Sequence, residues 1–186
     1  MADTMDEALI DRLGDELYDA LRARRTLAPL TERHPAIAVD DAYRISLRFL
    51  ARREADGERV TGKKIGVTSK AVQDMLGVFQ PDFGFLTDRM QVADGTTVSL
   101  AGAGLIQPRA EGEIAFMLAA DLQGPGVTRE QVLAATAWVA PCFEIVDSRI
   151  RDWKIRIQDT VADNASCGVF VVGTRHTDPR ALDLAA

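Results

Sequence analysis

Leu105-Ile106-Gln107-Pro108-Arg109-Ala110-Glu111-Gly112-Glu113-Ile114-Ala115-Phe116-Met117-Leu118 is the stretch whose reading decides the fold. From Ile114 on it is apolar and predicts a buried strand, yet two carboxylates stand at its mouth. Side chains at i and i+2 of an extended chain project from one face, so Glu111 and Glu113 point the same way with Gly112 turned to the other side. Two anions that close repel each other, and burial worsens the repulsion. Water, an Arg or Lys, a shared proton or a bound cation has to offset it. The plain alternative is an exposed strand end with solvated glutamates. A third acid weighs against that alternative: Glu144 interrupts the apolar run Trp138-Val139-Ala140-Pro141-Cys142-Phe143-Glu144-Ile145-Val146. Three carboxylates with no clustered His and no Cys ligand set suit a hard, oxygen-preferring cation such as Mg²⁺ or Mn²⁺.

Composition narrows the setting. A chain of 186 residues holds one sizeable core rather than two. Its apolar share of 47% and charged share of 27% are ordinary for a soluble globular protein. A net charge of −6 without a long basic block argues against nucleic acid and anionic membranes as partners. The N-terminus Met1-Ala2-Asp3-Thr4-Met5-Asp6-Glu7 is acidic and lacks an apolar leader, and no run approaches transmembrane length, so a cytoplasmic protein is expected. Cys142 and Cys167 sit in apolar surroundings and read as buried reduced thiols.

Around the acidic stretch the remaining elements follow from periodicity. Leu9, Ile10, Leu13, Leu17, Tyr18 and Leu21 predict an amphipathic helix from about Asp6 to Arg25. Pro29 and Pro35 mark a linker. A second helix over Val39–Leu50 is expected to be capped by Asp40 or Asp41 and stopped by Gly57. Val60-Thr61-Gly62-Lys63-Lys64-Ile65-Gly66 reads as a strand whose two lysines face opposite sides and whose glycines admit a close neighbour. Ser69 should cap a short helix with Met75 and Leu76 inward, and Asp82 in Gln80-Pro81-Asp82-Phe83-Gly84 sits in turn chemistry. Asp94-Gly95 predicts a turn into a strand over Thr96–Leu100, and Thr128 a helix start. Arg149, Arg151, Lys154 and Arg156, diluted by Asp147, Asp152 and Asp159, read as surface salt bridges. Thr160–Gly168 is a small-residue loop before the strand Val169–Gly173, able to offer N–H groups and a hydroxyl to an anion. His34 and His176 have no partners that suggest a triad and read as solvated.

Four motifs in one order carry a resemblance: Gly62-Lys63-Lys64-Ile65-Gly66-Val67-Thr68-Ser69, Gln80-Pro81-Asp82-Phe83-Gly84, Gln107-Pro108-Arg109-Ala110-Glu111-Gly112-Glu113-Ile114 and Val161-Ala162-Asp163-Asn164-Ala165-Ser166-Cys167-Gly168. Together they resemble the 2-hydroxypenta-2,4-dienoate (2-oxopent-4-enoate) hydratases of the fumarylacetoacetate hydrolase superfamily, over about Leu13 to Gly173. The resemblance implies an α+β fold, a mixed β-sandwich or roll of the fumarylacetoacetate hydrolase C-terminal type preceded by N-terminal helices. Residues 1–58 would form the helical segment and 59–186 the β-rich, metal-binding catalytic domain. It implies a divalent-metal hydro-lyase of meta-cleavage aromatic catabolism, working through a metal-stabilised enolate to give 4-hydroxy-2-oxopentanoate. Glu111, Glu113 and Glu144 would hold Mg²⁺ or Mn²⁺, Lys64 rather than Lys63 and Asp82 would be catalytic, and Ser166 would lie by the substrate carboxylate. A homo-oligomer and a complex with the pathway decarboxylase or aldolase are the implied protein partners.

The family domain continues with further strands and a helix, whereas this chain ends at Asp183-Leu184-Ala185-Ala186. It is therefore expected to be truncated, with an apolar edge left open after Val169–Val172. The nearest rival is a 2-oxo-3-hexenedioate decarboxylase of the same superfamily, which carries an apolar residue where Asp82 stands. An acylpyruvase-type hydrolase would want a His–Glu pair that is not found. From another class, the rival is a catalytically silent subunit supporting such a complex.

Overall fold

The computed structural model describes residues 5–184. Leu-rich spacing produces α1 (Glu7–Ala23), capped by the Asp6 side chain on the Ala8 N–H, then α2 (Leu30–Arg33) inside the proline linker and α3 (Val39–Ala55). They are followed by β1 (Val60–Gly66), α4 (Lys70–Leu76), β2 (Asp82–Thr87), β3 (Gln91–Val92), α5 (Leu100–Ala103), β4 (Arg109–Leu118), α6 (Arg129–Ala135), β5 (Thr136–Val146), α7 (Ile157–Ala162) and β6 (Val169–Val172). This is a mixed α+β architecture with two sheets: an antiparallel β1–β2 pair and a four-stranded sheet in the order β3-β6-β5-β4.

The main core lies between α1 and α3, where Ile10, Leu13, Leu17, Ile45 and Phe49 interdigitate, and it runs on into Ile150, Val161 and Ala162. Burying each such side chain stabilises by about 1.5–3 kcal/mol, so this is where the helices are held. A smaller cluster of Met90, Cys167 and Phe170 backs the four-stranded sheet. No helix among the described residues is long and apolar enough to cross a membrane.

Several expectations are corrected. Asp40 and Asp41 lie within the first turn of α3 and Ala38 occupies the cap, although the Asp41 carboxylate does accept from the Ala38 N–H. Ser69 caps α4 as expected, but Met75 is 72% exposed and no residue of that helix is buried. Thr96–Leu100 forms no strand: Ser99 accepts from the Gly102 N–H and starts α5 instead. The apolar half of β4 is open rather than buried, with Ile114 51% exposed, because β4 pairs with β5 alone. The open edge is thus β4, while β6 lies between β3 and β5. His176 is exposed, as expected, and stacks face to face on Trp138 at 3.7 Å.

Arg149 departs furthest from its reading as a surface residue. It is fully buried and ion-paired with Asp163. Its guanidinium also donates to the Asp147, Cys167 and Asp163 carbonyls, which staples the end of β5 to the turn before β6. Such a cluster persists in the interior because nearly every donor and acceptor finds a partner.

Candidate active site

Lys64 is where the two sheets meet. Alternation along β1 leaves Lys63 exposed, its ammonium 5.7 Å from the Phe83 ring centre and 5.6 Å from that of Phe85. Lys64 turns the other way, and its side chain keeps only 12% of its exposure with Nζ 3.3 Å from Glu144 Oε2. The β1–β2 register sets Gly66 opposite Asp82 and Lys64 opposite Gly84, so Lys64 and Asp82 share a face. Gly66 is required there: a Cβ on it would fall 2.3 Å from Asp82 Oδ1 and 3.3 Å from Lys64 Nζ. Asp82, expected in a turn, is the first residue of β2 and is 4% exposed.

In the four-stranded sheet, β4 and β5 pair antiparallel with Glu111 directly opposite Glu144 and Glu113 opposite Cys142. Directly opposed residues share a face, so the three glutamates line one side of the ladder. Glu144 is buried, whereas Glu111 and Glu113 are exposed at the edge. Among the described residues, no three Asp, Glu, His or Cys side chains converge closely enough to hold a metal ion in this conformation. The donor set nevertheless fits a hard cation. Its members are all carboxylates, and Glu144 Oε1 is buried with no hydrogen-bond partner.

Electrostatics separate the roles. Burial raises the Glu144 carboxyl above its usual range, the Lys64 ammonium pulls it back, and Glu111 and Glu113 add to the rise. Burial likewise raises Asp82, against the pull of Lys64, and Asp82 Oδ1 has no hydrogen-bond partner. For Lys64 itself burial disfavours the charge, but the facing Glu144 and Asp82 carboxylates outweigh it and the ammonium is held above its ordinary value. Cys167 is pushed up to about 12 by burial and is a neutral thiol at pH 7, so the two carboxylates do the holding.

The loop before β6 packs against β2. Asn164, Ala165 and Ser166 all adopt left-handed backbone angles (φ 56°, 51° and 54°), a strained run for residues other than glycine. Asn164 holds it to β2, accepting from the Phe85 N–H and donating to the Phe85 carbonyl. Gly84 admits the approach, since a Cβ there would lie 2.5 Å from the Asn164 carbonyl. Ser166 is buried, with Oγ 3.2 Å from Thr160 Oγ1. Sequence reasoning missed Asn164 as the clamp; its only trace is the Asp-Asn-Ala-Ser motif itself.

No family model matches the chain. It is 75% identical over 97% of its length to a 2-hydroxyhexa-2,4-dienoate hydratase of Comamonas testosteroni, covering 69% of that protein. It is 66% identical over 97% of its length to a 2-hydroxypent-2,4-dienoate hydratase of Pseudomonas putida, covering 81%. The chain belongs to the 2-hydroxydienoate (2-keto-4-pentenoate) hydratase family. Among solved structures it resembles the 4-oxalocrotonate decarboxylase from Pseudomonas putida G7 complexed with magnesium and adipate. The TM-score is 0.92 at 34% identity, covering 97% of this chain and 68% of that one. The identity to the hydratases is about twice that to the decarboxylase, so within the superfamily the chain lies on the hydratase side.

Proposed function

We propose that this chain adds water to 2-hydroxypenta-2,4-dienoate to give 4-hydroxy-2-oxopentanoate in meta-cleavage catabolism of aromatic compounds. The observation that carries this reading is Asp82, a buried carboxyl with an unpartnered oxygen beside the Lys64–Glu144 ion pair, in a chain of hydratase sequence. Hydration needs a proton moved between C5, C3 and water, and a carboxyl raised toward neutrality suits that exchange. Asp82 is therefore the general acid/base. Lys64 stays an ammonium and serves as a fixed positive charge for the enolate oxygen. Ser166 lies toward the substrate carboxylate. Glu111, Glu113 and Glu144 would hold the divalent cation, Mg²⁺ or Mn²⁺, which supplies Lewis acidity at the 2-oxygen when bound. Magnesium and calcium in the decarboxylase structures support a metal of this class.

The same reading assigns residues 1–58 to a helical support and 59–186 to the catalytic part. It completes the two sheets as the mixed β-roll of the superfamily and places the enzyme in the cytoplasm. A homo-oligomer, in complex with the pathway decarboxylase or aldolase, is the assembly it favours. Product analysis tests the reaction. The purified chain with Mg²⁺ should convert the five-carbon dienoate to 4-hydroxy-2-oxopentanoate and release no CO₂ from 2-oxo-3-hexenedioate. CO₂ release without hydration would make it a decarboxylase. The six-carbon dienoate belongs in the same assay, because the 75% identical relative is named for that substrate.

A further inference from the structure

Arg109 opens β4 on the same face as Glu111 and Glu113, two residues before the Glu111–Glu144 pair. Same-face neighbours on a strand are roughly 7 Å apart, within reach of one small ligand. Arg109 is exposed and, among the described residues, makes no ion pair and no side-chain hydrogen bond. Its guanidinium is nevertheless not loose: it lies over the Trp153 ring, 4.4 Å from the centroid.

That ring is itself fixed. Trp153 Nε1 donates to the Gln107 carbonyl at 2.9 Å, tying the indole to the chain just ahead of β4. The tie comes at a backbone cost, since Asp152 and Trp153 both have positive φ (58° and 56°), an outlier for a bulky aromatic residue. Strain of this kind persists where the surroundings over-determine it, most often beside a functional site. Here it sets an aromatic platform under one guanidinium. Stacking on an aromatic face leaves the N–H edge of the fork free, and that edge matches a carboxylate in bidentate geometry.

Resting on the hydratase reading, we propose that Arg109 is the substrate-anchoring residue of the site, its guanidinium taking the carboxylate of the 2-oxo or 2-hydroxy acid. Ser166 is too enclosed to do this alone, being buried with its hydroxyl against Thr160. The division of labour is then simple: Lys64 and Asp82 face the reacting carbons, and Arg109 sets the register of the substrate along the β4 edge.

The test uses 2-oxopentanoate, a saturated analogue that cannot be hydrated, and its uncharged primary amide, titrated calorimetrically into the purified chain with Mg²⁺ present. Wild type should bind the acid about tenfold or more tightly than the amide, as a charge-assisted bidentate pair implies. Arg109→Gln should bind both alike, with the unfolding temperature lowered by no more than about a few degrees, because the cation–π contact with Trp153 is the one side-chain interaction it loses. Arg109→Lys should recover part of the preference, keeping the charge and losing the fork. For the dienoate, Arg109→Gln should raise KM by about the same factor and leave kcat within about threefold. Retained acid preference in Arg109→Gln, a fall in kcat at constant KM, or no preference or no binding in wild type would each overturn the assignment. Arg109-dependent acid binding without turnover of the dienoate would instead sink the hydratase reading and leave the anchor standing.

Discussion

Glu111 and Glu144 stand directly opposite each other across the β4–β5 ladder, and Lys64 Nζ is the cation within ion-pair distance of Glu144. The Lys64 ammonium and the Arg109 guanidinium against the three carboxylates of Glu111, Glu113 and Glu144 leave the face negative, and like charges directly opposite are destabilising. A divalent cation would relieve that. Replacing Glu111, Glu113 or Glu144 by Gln should each weaken Mn²⁺ or Mg²⁺ binding by about tenfold or more, the typical effect of losing a charged ligand pair. In the metal-free chain Glu111→Gln should raise stability slightly, by roughly 0.2–1 kcal/mol, as a like-charge pair is removed. Unchanged calorimetric affinity in all three variants would show the site to be misassigned.

The two lysines of β1 give an internal control. Lys64→Ala removes the buried ammonium beside Glu144 and Asp82 and should lower kcat by about two or more orders of magnitude. Lys63→Ala removes an exposed ammonium over two aromatic rings and should change kcat less than about threefold, since an exposed cation–π contact contributes roughly 0.5–1 kcal/mol and only to stability. Equal losses in both variants would point to a general electrostatic role.

What the sequence made legible follows a physical line. Local alternation placed Lys63 and Lys64 on opposite faces and Glu111 and Glu113 on one face, because strand geometry has a period of two, while the choice of Lys64 as the inward one came from the family resemblance. Helical spacing placed α1 and α3. What escaped was set by partners distant in sequence. Arg149 reads as surface from its charged neighbours, yet Asp163 buries it; Asp82 reads as a turn residue, yet pairing with Gly66 makes it the start of a strand. The burial of β4 was over-read for the same reason: an apolar run implies cover, but cover depends on which strands lie beside it.

Arg149 supports a stability prediction. Removing it as Arg149→Met leaves the fully buried Asp163 carboxyl, already raised to about 6 by burial, without its counter-charge. Breaking a buried pair on one side costs about 3–5 kcal/mol, whereas replacing both partners by apolar residues costs much less. Urea unfolding of Arg149→Met should show the large loss, and Arg149→Met combined with Asp163→Leu should recover a good part of it. A double variant as unstable as the single would mean that the hydrogen bonds to the Asp147 and Cys167 carbonyls, rather than the charge pair, dominate.

Acid stability should report the seam between α1 and α3. The Arg48 hydrogen bond, with help from Arg52, holds the Asp15 carboxyl below its usual 3.8 in the folded chain. A folded pKa below the unfolded one means that the unfolded state binds the proton first as pH falls. The contribution of Asp15 is therefore fully present above about pH 5, declines once pH drops through 3.8, and is gone below the folded value. Asp15→Asn should accordingly be less stable than wild type at neutral pH, with the gap closing as the pH is lowered past that window. Thermal unfolding of both proteins from pH 7 down to pH 3 reads this directly. A gap that stays constant across the range would show that Asp15 acts through packing on α3 rather than through its charge.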